Sequence, residues 1–294
     1  MKIKNLLLFP IVALTLFACT DNDDEAEIPQ AQEPQLIIKF KFDPAQIRLD
    51  NLGQPSTVAT GNAAQSPIFN TIASHYLELT QNATTLLGTG TILYRGQETT
   101  AGGLNAFDFS KAKIVAEGEA FLSIPLSRIQ AGSYEWVRCS LLYQNYNINV
   151  LSSGTNYVGT LASFVGTRTY ITTHNIGNYP FVVNGNRDQG YWAFGLQGFP
   201  YSTSGQAPAG ATTVPNPIAS TSPIPANSCV VTGKFANNLV ITGTETSNIE
   251  VTLSLSINNS FEWSEVNADG KYEPSAGENV VDMGLRGLIP SFVR

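Results

Sequence analysis

The chain has 294 residues, 43% of them hydrophobic but only 13% charged, and a net charge of −7 at neutral pH. Average soluble proteins are about 25% charged; here Thr, Ser, Asn and Gly supply the polar share. An acidic chain without a basic stripe excludes nucleic acid as a partner, and it excludes charge-driven adhesion to anionic lipid headgroups.

Residues 1–18 read as a secretory signal peptide. Lys2 and Lys4 form a positive start, and 6–17 form an apolar core broken only by Pro10 and Thr15. Crossing a bilayer as a helix takes about 20 apolar residues, so this run has the length of a leader. Leu16-Phe17-Ala18-Cys19 resembles a lipobox, with a bulkier middle residue than the pattern prefers. That resemblance implies cleavage before Cys19 and acylation of Cys19, where each buried methylene contributes roughly 0.8 kcal/mol of membrane attachment. Losing Lys2 and Lys4 takes the net charge from −7 to −9. Residues 19–34 then form a tether in which Asp21, Asp23, Asp24, Glu25 and Glu27 repel one another and stay solvated. Acids directly behind a lipidated cysteine also resemble the export signal of Bacteroidota-type surface lipoproteins. This implies a lipid anchor in the outer membrane, with the rest of the chain facing the cell exterior.

About 260 residues remain, enough for one large β domain, read over 35–294. Residues 36–42 (LIIKFKF) begin apolar and then alternate, while 68–73 suggest one helical turn. Short strand candidates follow at 76–80 (YLELT), 91–94, 113–117 and 120–124, then a second single turn at 126–130 between Pro125 and Gly132. Residues 134–143 make a longer strand, 157–173 a kinked hairpin with Gly159 and Gly166, and 190–197 (GYWAFGLQ) an aromatic strand. Residues 229–235, 239–242 and 249–257 complete the set; the last, IEVTLSLSI, alternates throughout. Many short strands punctuated by Gly, Pro and Asn predict an all-β chain, a β-sandwich of immunoglobulin-like type. Residues 198–228 form a long Pro/Ser/Thr-rich loop within that domain, with prolines at 200, 208, 215, 217, 223 and 225.

One segment has the spacing of a calcium loop. In WSEVNADGKYEPSAGE, Glu265, Asn267 and Asp269 stand at alternate positions before Gly270, with the Lys271 carbonyl, Glu273 and the later Glu278 as further oxygen donors. Oxygens at every second residue converge on a cation if the backbone coils around it. Glu in place of Asp at the first position, and Ala276 at the twelfth, depart from the pattern. The alternative is a hairpin turning at Asp269-Gly270 without calcium. Cys139 and Cys229 remain once Cys19 is lipidated, and an oxidising compartment leaves two alternatives open, a disulfide or two buried thiols.

Tyr191, Trp192, Phe199 and Tyr201 belong to a dense aromatic stretch, suited either to stacking on a glycan or to core packing. Glu117 and Glu119 would share a face if they lay on a strand, the arrangement of a glycosidase pair or of a solvated strand. No G-x-S-x-G elbow is present, and no assigned catalytic residue emerges. His75 and His174, the two histidines, have no metal-ligand spacing.

Several segments together resemble the MbnP-like family of β-sandwich lipoproteins and periplasmic proteins. They are Ile38-Lys39-Phe40-Lys41-Phe42, the stretch 72–79 ending in YLEL, Ile129-Gln130-Ala131-Gly132-Ser133-Tyr134, and the closing strand 249–261. The resemblance implies an MbnP-like sandwich and, as an alternative function, copper binding. Asp43 stands where a family histidine is expected, so copper would need His75 and His174 in one site. The leading expectation is a surface-exposed, non-enzymatic binding or structural module, calcium-stabilised if the 265–278 loop holds the ion. The alternatives are the copper protein and a glycan-binding or glycan-processing surface protein.

Overall fold

The structure is a computed structural model; it describes residues 33–50, 54–200, 202–207, 220, 224 and 229–294. The signal peptide, Cys19, most of the tether and Tyr201 lie outside the described residues. In chain order the strands are β1 (Gln35–Asp43), β2 (Asn62–Gln65), β3 (Ile68–Thr80), β4 (Thr91–Arg95), β5 (Glu98–Thr99), β6 (Ala106–Asp108), β7 (Ala120–Pro125), β8 (Gly132–Ser152) and β9 (Thr155–Phe164). They continue with β10 (Thr169–Ile176), β11 (Tyr179–Arg187), β12 (Tyr191–Leu196), β13 (Ser202–Gln206), β14 (Val230–Ile241), β15 (Ile249–Ser256), β16 (Phe261–Ser264), β17 (Val280–Asp282) and β18 (Arg286–Val293). Among the described residues, helix is limited to single 3-10 turns such as Phe109–Lys111 and Leu126–Arg128.

Alternation builds the sandwich. β1 buries Leu36, Ile38, Phe40 and Phe42, and β15 buries Ile249, Val251, Leu253 and Leu255, so both strands present one apolar face. They pair in parallel, Leu36 opposite Ile249, inside a four-stranded sheet ordered β18-β15-β1-β7. A larger sheet, ordered β13-β12-β9-β8-β3-β4 with β14 also on β8, supplies the facing layer. Ile72, Leu77, Leu79, Val137, Cys139 and Leu141 of that sheet meet the β1 and β15 side chains in one shared core. Each fully buried Leu, Ile or Phe contributes about 1.5–3 kcal/mol by leaving water. β8 spans both halves of the large sheet: β14 pairs with its beginning and β9 with its end.

A third layer lies on the other face of the large sheet. The sheet β11-β10-β6-β5 joins Phe107, Phe109 and Ile171 to Ala73, Leu142, Tyr143, Phe164 and Tyr191. A small sheet, β17-β16-β2, closes the bottom of the inner side, where Phe261 and Trp263 pack on Tyr146, Ile148 and Val150. Arg48 anchors this corner: its Nη2 meets Glu262 Oε2 at 2.5 Å and its Nη1 donates to the Asn259 carbonyl at 2.8 Å. Glu262 Oε1 also accepts from Asn62 Nδ2 and the Ala59 amide, so the buried carboxylate is fully partnered.

The all-β sandwich-type fold expected from the pattern is present, with local differences. Residues 68–73 are strand, not a helical turn, because β3 starts at Ile68. Residues 113–117 form no strand; Val115 makes a single bridge to Ile72. The 157–173 stretch is not a hairpin: β9 pairs with β8 and β12, and the chain then crosses to the outer layer as β10. The crossing runs close to the sheet at Gly166, where a Cβ would lie 1.9 Å from the Leu141 carbonyl oxygen. The 229–235 and 239–242 segments are one strand, β14, with a register shift between Lys234 and Leu239. The 198–228 excursion opens with a further strand, β13, paired to β12.

Candidate ligand-binding site

Register breaks in β3 and β8 decide which residues face the outer layer. Their pairing shifts between Phe69 and Thr71, between Ala73 and Ser74, and between Ser74 and Tyr76. From Val137 to Leu141 the inward residues of β8 are odd-numbered: Val137, Cys139 and Leu141. Leu142 and Tyr143 then both belong to the outer cluster, after which Tyr146, Ile148 and Val150 point inward. An extra residue at Leu142 has exchanged the two faces, and Tyr143, Asn145 and Asn147 now look outward. Asn70 does the same in β3: Phe69 packs inward on Phe42 and Tyr146, with ring centroids 4.8 and 4.9 Å apart, while Asn70 and Thr71 both face the outer side. Re-aiming a side chain is what a bulge does to a strand.

The outer face is hollow because the next strands carry small residues there. Asn145 pairs with Ala162 and Asn147 with Thr160; Ala193 and Gly195 continue the two rows on β12. One row further up, Tyr143, Phe164 and Tyr191 fill the layer. The β10–β11 hairpin forms a wall, turning through Gly177-Asn178 with φ +56° at Gly177. A two-residue hairpin turn requires that positive φ. His174 of β10 lies against the rings of Phe164 and Phe181, at 5.3 and 5.4 Å.

The result is a cavity of about 590 Å³, within the range of roughly 300–1,000 Å³ typical of small-molecule sites. Its polar lining residues are Asn70, Thr71, Asn145, Asn147, Thr160, Thr173, Asn175, Asn178 and Gln197, with Asn175 accepting from Asn145 through its main-chain carbonyl. Phe109, Ile114, Tyr143 and His174 contribute rings and an aliphatic surface. The amides are tied together. Asn70 Nδ2 donates to Asn145 Oδ1 (2.8 Å) and Asn147 Oδ1 (3.2 Å), and Asn147 Nδ2 donates back to Asn70 Oδ1 (3.3 Å). Thr160 Oγ1 donates to Asn147 Oδ1 (2.9 Å), Gln197 Nε2 to Thr160 Oγ1 (3.5 Å) and Asn145 Nδ2 to the Tyr143 hydroxyl (3.1 Å). Such a network holds its members in fixed orientations.

The cavity carries no charge at neutral pH. Among the described residues, no Asp, Glu, Lys or Arg lines it. Burial holds the His174 pKa down at about 4, so its imidazole is neutral, and burial pushes the Tyr143 phenol up to about 12, so its proton stays on.

Three of the four aromatics considered for stacking on a ligand lie away from the cavity. Tyr191 is buried behind the cavity, and Trp192 shares a face with Phe194 that packs on the inner core. Phe199 is 46% exposed and meets the Tyr157 ring edge-on at 5.7 Å; Tyr201 lies outside the described residues. The residues of the cavity itself were missed. A readable signal was present in Asn145-Tyr146-Asn147-Ile148-Asn149-Val150, where amides alternate with apolar residues as in a strand with one polar face. A second was Gly177-Asn178 between β-rich runs.

The 265–278 segment links β16 to β17, which run antiparallel. Its carboxylates turn toward the loop's own amides. Glu278 is 3% exposed; one of its oxygens accepts from the Val266 amide (3.1 Å) and the other from the Glu273 amide (2.6 Å). Glu265 accepts from the Asp269 amide and the Trp263 indole, both at 3.2 Å, while Asp269 Oδ1 accepts from the Lys271 amide at 2.9 Å. Asn267 Nδ2 donates to Glu273. Among the described residues these carboxylates form no group of three His, Cys, Asp or Glu arranged around a common metal position.

His75 Nε2 meets Ser140 Oγ at 2.7 Å, whereas His174 sits among aromatic rings, and no cluster of three His, Cys, Asp or Glu residues with metal-binding arrangement occurs among the described residues. Cys139 stands opposite Val231, which makes it a diagonal neighbour of Cys229, and no bond joins the two. Diagonal Cα atoms are roughly 7–8 Å apart, beyond the span a disulfide usually bridges. Cys139 Sγ instead contacts Ser74 Oγ, and Cys229 Sγ donates to the Val165 carbonyl. Glu117 and Glu119 lie on an exposed turn, where Glu119 accepts from the Ala116 amide. Comparison with protein-family models, curated proteins and solved structures yields no match to this chain.

Proposed function

We propose that this chain is a surface lipoprotein, held at the outer membrane through lipid on Cys19, whose β domain is a non-enzymatic binding module for a small uncharged ligand. The observation that carries the ligand class is the cavity lining: amides, hydroxyls and rings, without one ionisable group charged at neutral pH. A cation would leave its charge without a carboxylate, and an anion without a guanidinium or ammonium, in a site where desolvation makes either costly. An uncharged polar molecule meets a preorganised hydrogen-bonding surface there. The lining also holds no nucleophile paired with a base, which favours binding over turnover.

Saturation-transfer NMR on the full chain in detergent tests this, with separate mixtures of neutral, anionic and cationic small molecules. Signals are expected from neutral compounds and are expected to vanish in Asn178→Trp, where an indole at the exposed hairpin turn fills the mouth. Preferential binding of charged compounds, or binding indifferent to Asn178→Trp, refutes the proposal.

A further inference from the structure

We infer that the uncharged ligand is a neutral saccharide of more than one sugar ring, an inference that rests on the cavity being a binding site. Three features point there. The first is the polar rail running from Gln197 through Thr160, Asn147, Asn70 and Asn145 to the Tyr143 hydroxyl, each linked to the next by hydrogen bonds of 2.8–3.5 Å. A side-chain amide has two donor hydrogens and two acceptor lone pairs, so after the internal bonds the rail still offers N–H groups from Gln197 and Asn147 and acceptor lone pairs from Gln197, Asn70 and Asn145. A hydroxyl group both donates and accepts, so neighbouring hydroxyls can meet the free lone pairs of Asn70 and Asn145 as donors and the free N–H of Asn147 as acceptors. Carbonyl-only or amine-only ligands match half of it.

The second feature is the apolar part of the lining. Phe109 and Ile114, carried by the segment between β6 and β7, offer carbon surface to the C–H face of a sugar ring. The Phe109 and Tyr143 rings already pack on each other, with centroids 5.1 Å apart and planes at 59°. They therefore form no open slot between parallel rings, which a flat nucleobase would need. The third feature is size and access. About 590 Å³ exceeds what one sugar ring fills, and Thr173, Asn175 and Asn178 stand exposed along the hairpin, where a chain can leave the cavity in either direction. Neutrality of the lining sets the specificity: uronic acids, sialic acids and amino sugars bring charges that no side chain here compensates.

Isothermal titration of the full chain in detergent with maltotriose, cellotriose, xylotriose and mannotriose tests the inference, with trigalacturonate as the charged counterpart and nucleosides and dipeptide amides as neutral non-sugars. At least one neutral trisaccharide is expected to bind saturably, at least tenfold more weakly to Asn147→Ala and not measurably to Asn178→Trp. Trigalacturonate is expected not to bind. Asn178 is exposed at a turn, so Asn178→Trp keeps the fold, as a matching thermal unfolding curve will verify; it remains informative if Asn147→Ala unfolds. Nucleosides or dipeptide amides that bind and are blocked by Asn178→Trp, with no sugar binding, overturn the saccharide assignment and leave the binding site standing. A sugar that binds equally to wild type and Asn178→Trp overturns the assignment to this cavity. No ligand of any class blocked by Asn178→Trp overturns both.

Discussion

Replacing His174 with Phe should flatten the acid side of the protein's stability profile. His174 is 5% exposed, its ring packs against Phe164, Phe181 and Tyr191, and both ring nitrogens lack a hydrogen-bond partner among the described residues. Burial penalises the imidazolium and holds the folded-state pKa at about 4, against 6.5 in an unfolded chain. Between those values the unfolded state binds more protons than the native state, so stability rises with pH across the window. Acidification from 6.5 toward 4 therefore removes stability, and below 4 the loss is complete. Each tenfold difference in proton affinity between the two states is worth about 1.4 kcal/mol, which puts the loss from this residue at roughly 2–3 kcal/mol by pH 4.5. Phe keeps a ring of similar shape, does not titrate, and removes two unpaired polar atoms from a buried site, a gain of about 1 kcal/mol at pH 7.5. Urea unfolding followed by fluorescence of the three tryptophans, at pH 4.5, 5.5 and 7.5, measures both. His75, whose pKa burial also lowers to about 4, titrates equally in both proteins and cancels. The advantage of His174→Phe over wild type should widen by about 2 kcal/mol between pH 7.5 and 4.5; a constant difference across that range would falsify the account of His174 as a buried neutral imidazole.

Cys19→Ser should move the protein from the membrane to the soluble fraction and abolish labelling by a fatty-acid analogue; unchanged fractionation with no lipid mass on the wild type removes the lipoprotein assignment. Because Glu265, Asp269 and Glu278 already accept hydrogen bonds from the loop's own N–H groups, millimolar calcium against chelator should leave the melting temperature unchanged within about 1 °C, less than a 1 kcal/mol ligand effect would produce; a rise of several degrees shows that the loop reorganises into a calcium site. Glu278→Gln should destabilise the protein by about 1–2 kcal/mol in chelator, since a neutral amide accepts the Val266 and Glu273 amides more weakly; an unchanged urea midpoint speaks against Glu278 as the closure of that loop.

Local patterns carried the fold class, and only strands with uninterrupted phase were fully legible. Residues 249–257 alternate without a break, and β15 occupies Ile249–Ser256 with its apolar residues inward. β3 and β8 do not: their extra residues at Asn70, near His75 and at Leu142 swap faces mid-strand. This explains why Ile68–Ala73 mimics a helical turn and why 134–143 captured less than half of β8, Gly132–Ser152. The same breaks hid the candidate site. The Asn145–Val150 alternation announces a strand with an amide face, but not that this face is turned away from the sandwich core.

What the amino-acid order determined by itself is what depends on near neighbours: strand periodicity, a leader-like apolar run ending at Cys19, and an overall acidic, amide-rich composition. Tertiary structure alone decided what those elements meet. It set Cys139 diagonal to Cys229, drew the 265–278 carboxylates onto backbone amides, and laid the β10–β11 hairpin over the outer face of β8 and β9. The physical reason is the same in each case. A one-residue bulge reverses every later side chain of a strand, and whether the chain tolerates it depends on the layer, distant in sequence, that covers the newly exposed face. Here that layer covers the aromatic row and stops short of the asparagines, which leaves an uncharged cavity where a continuous sheet face would otherwise lie.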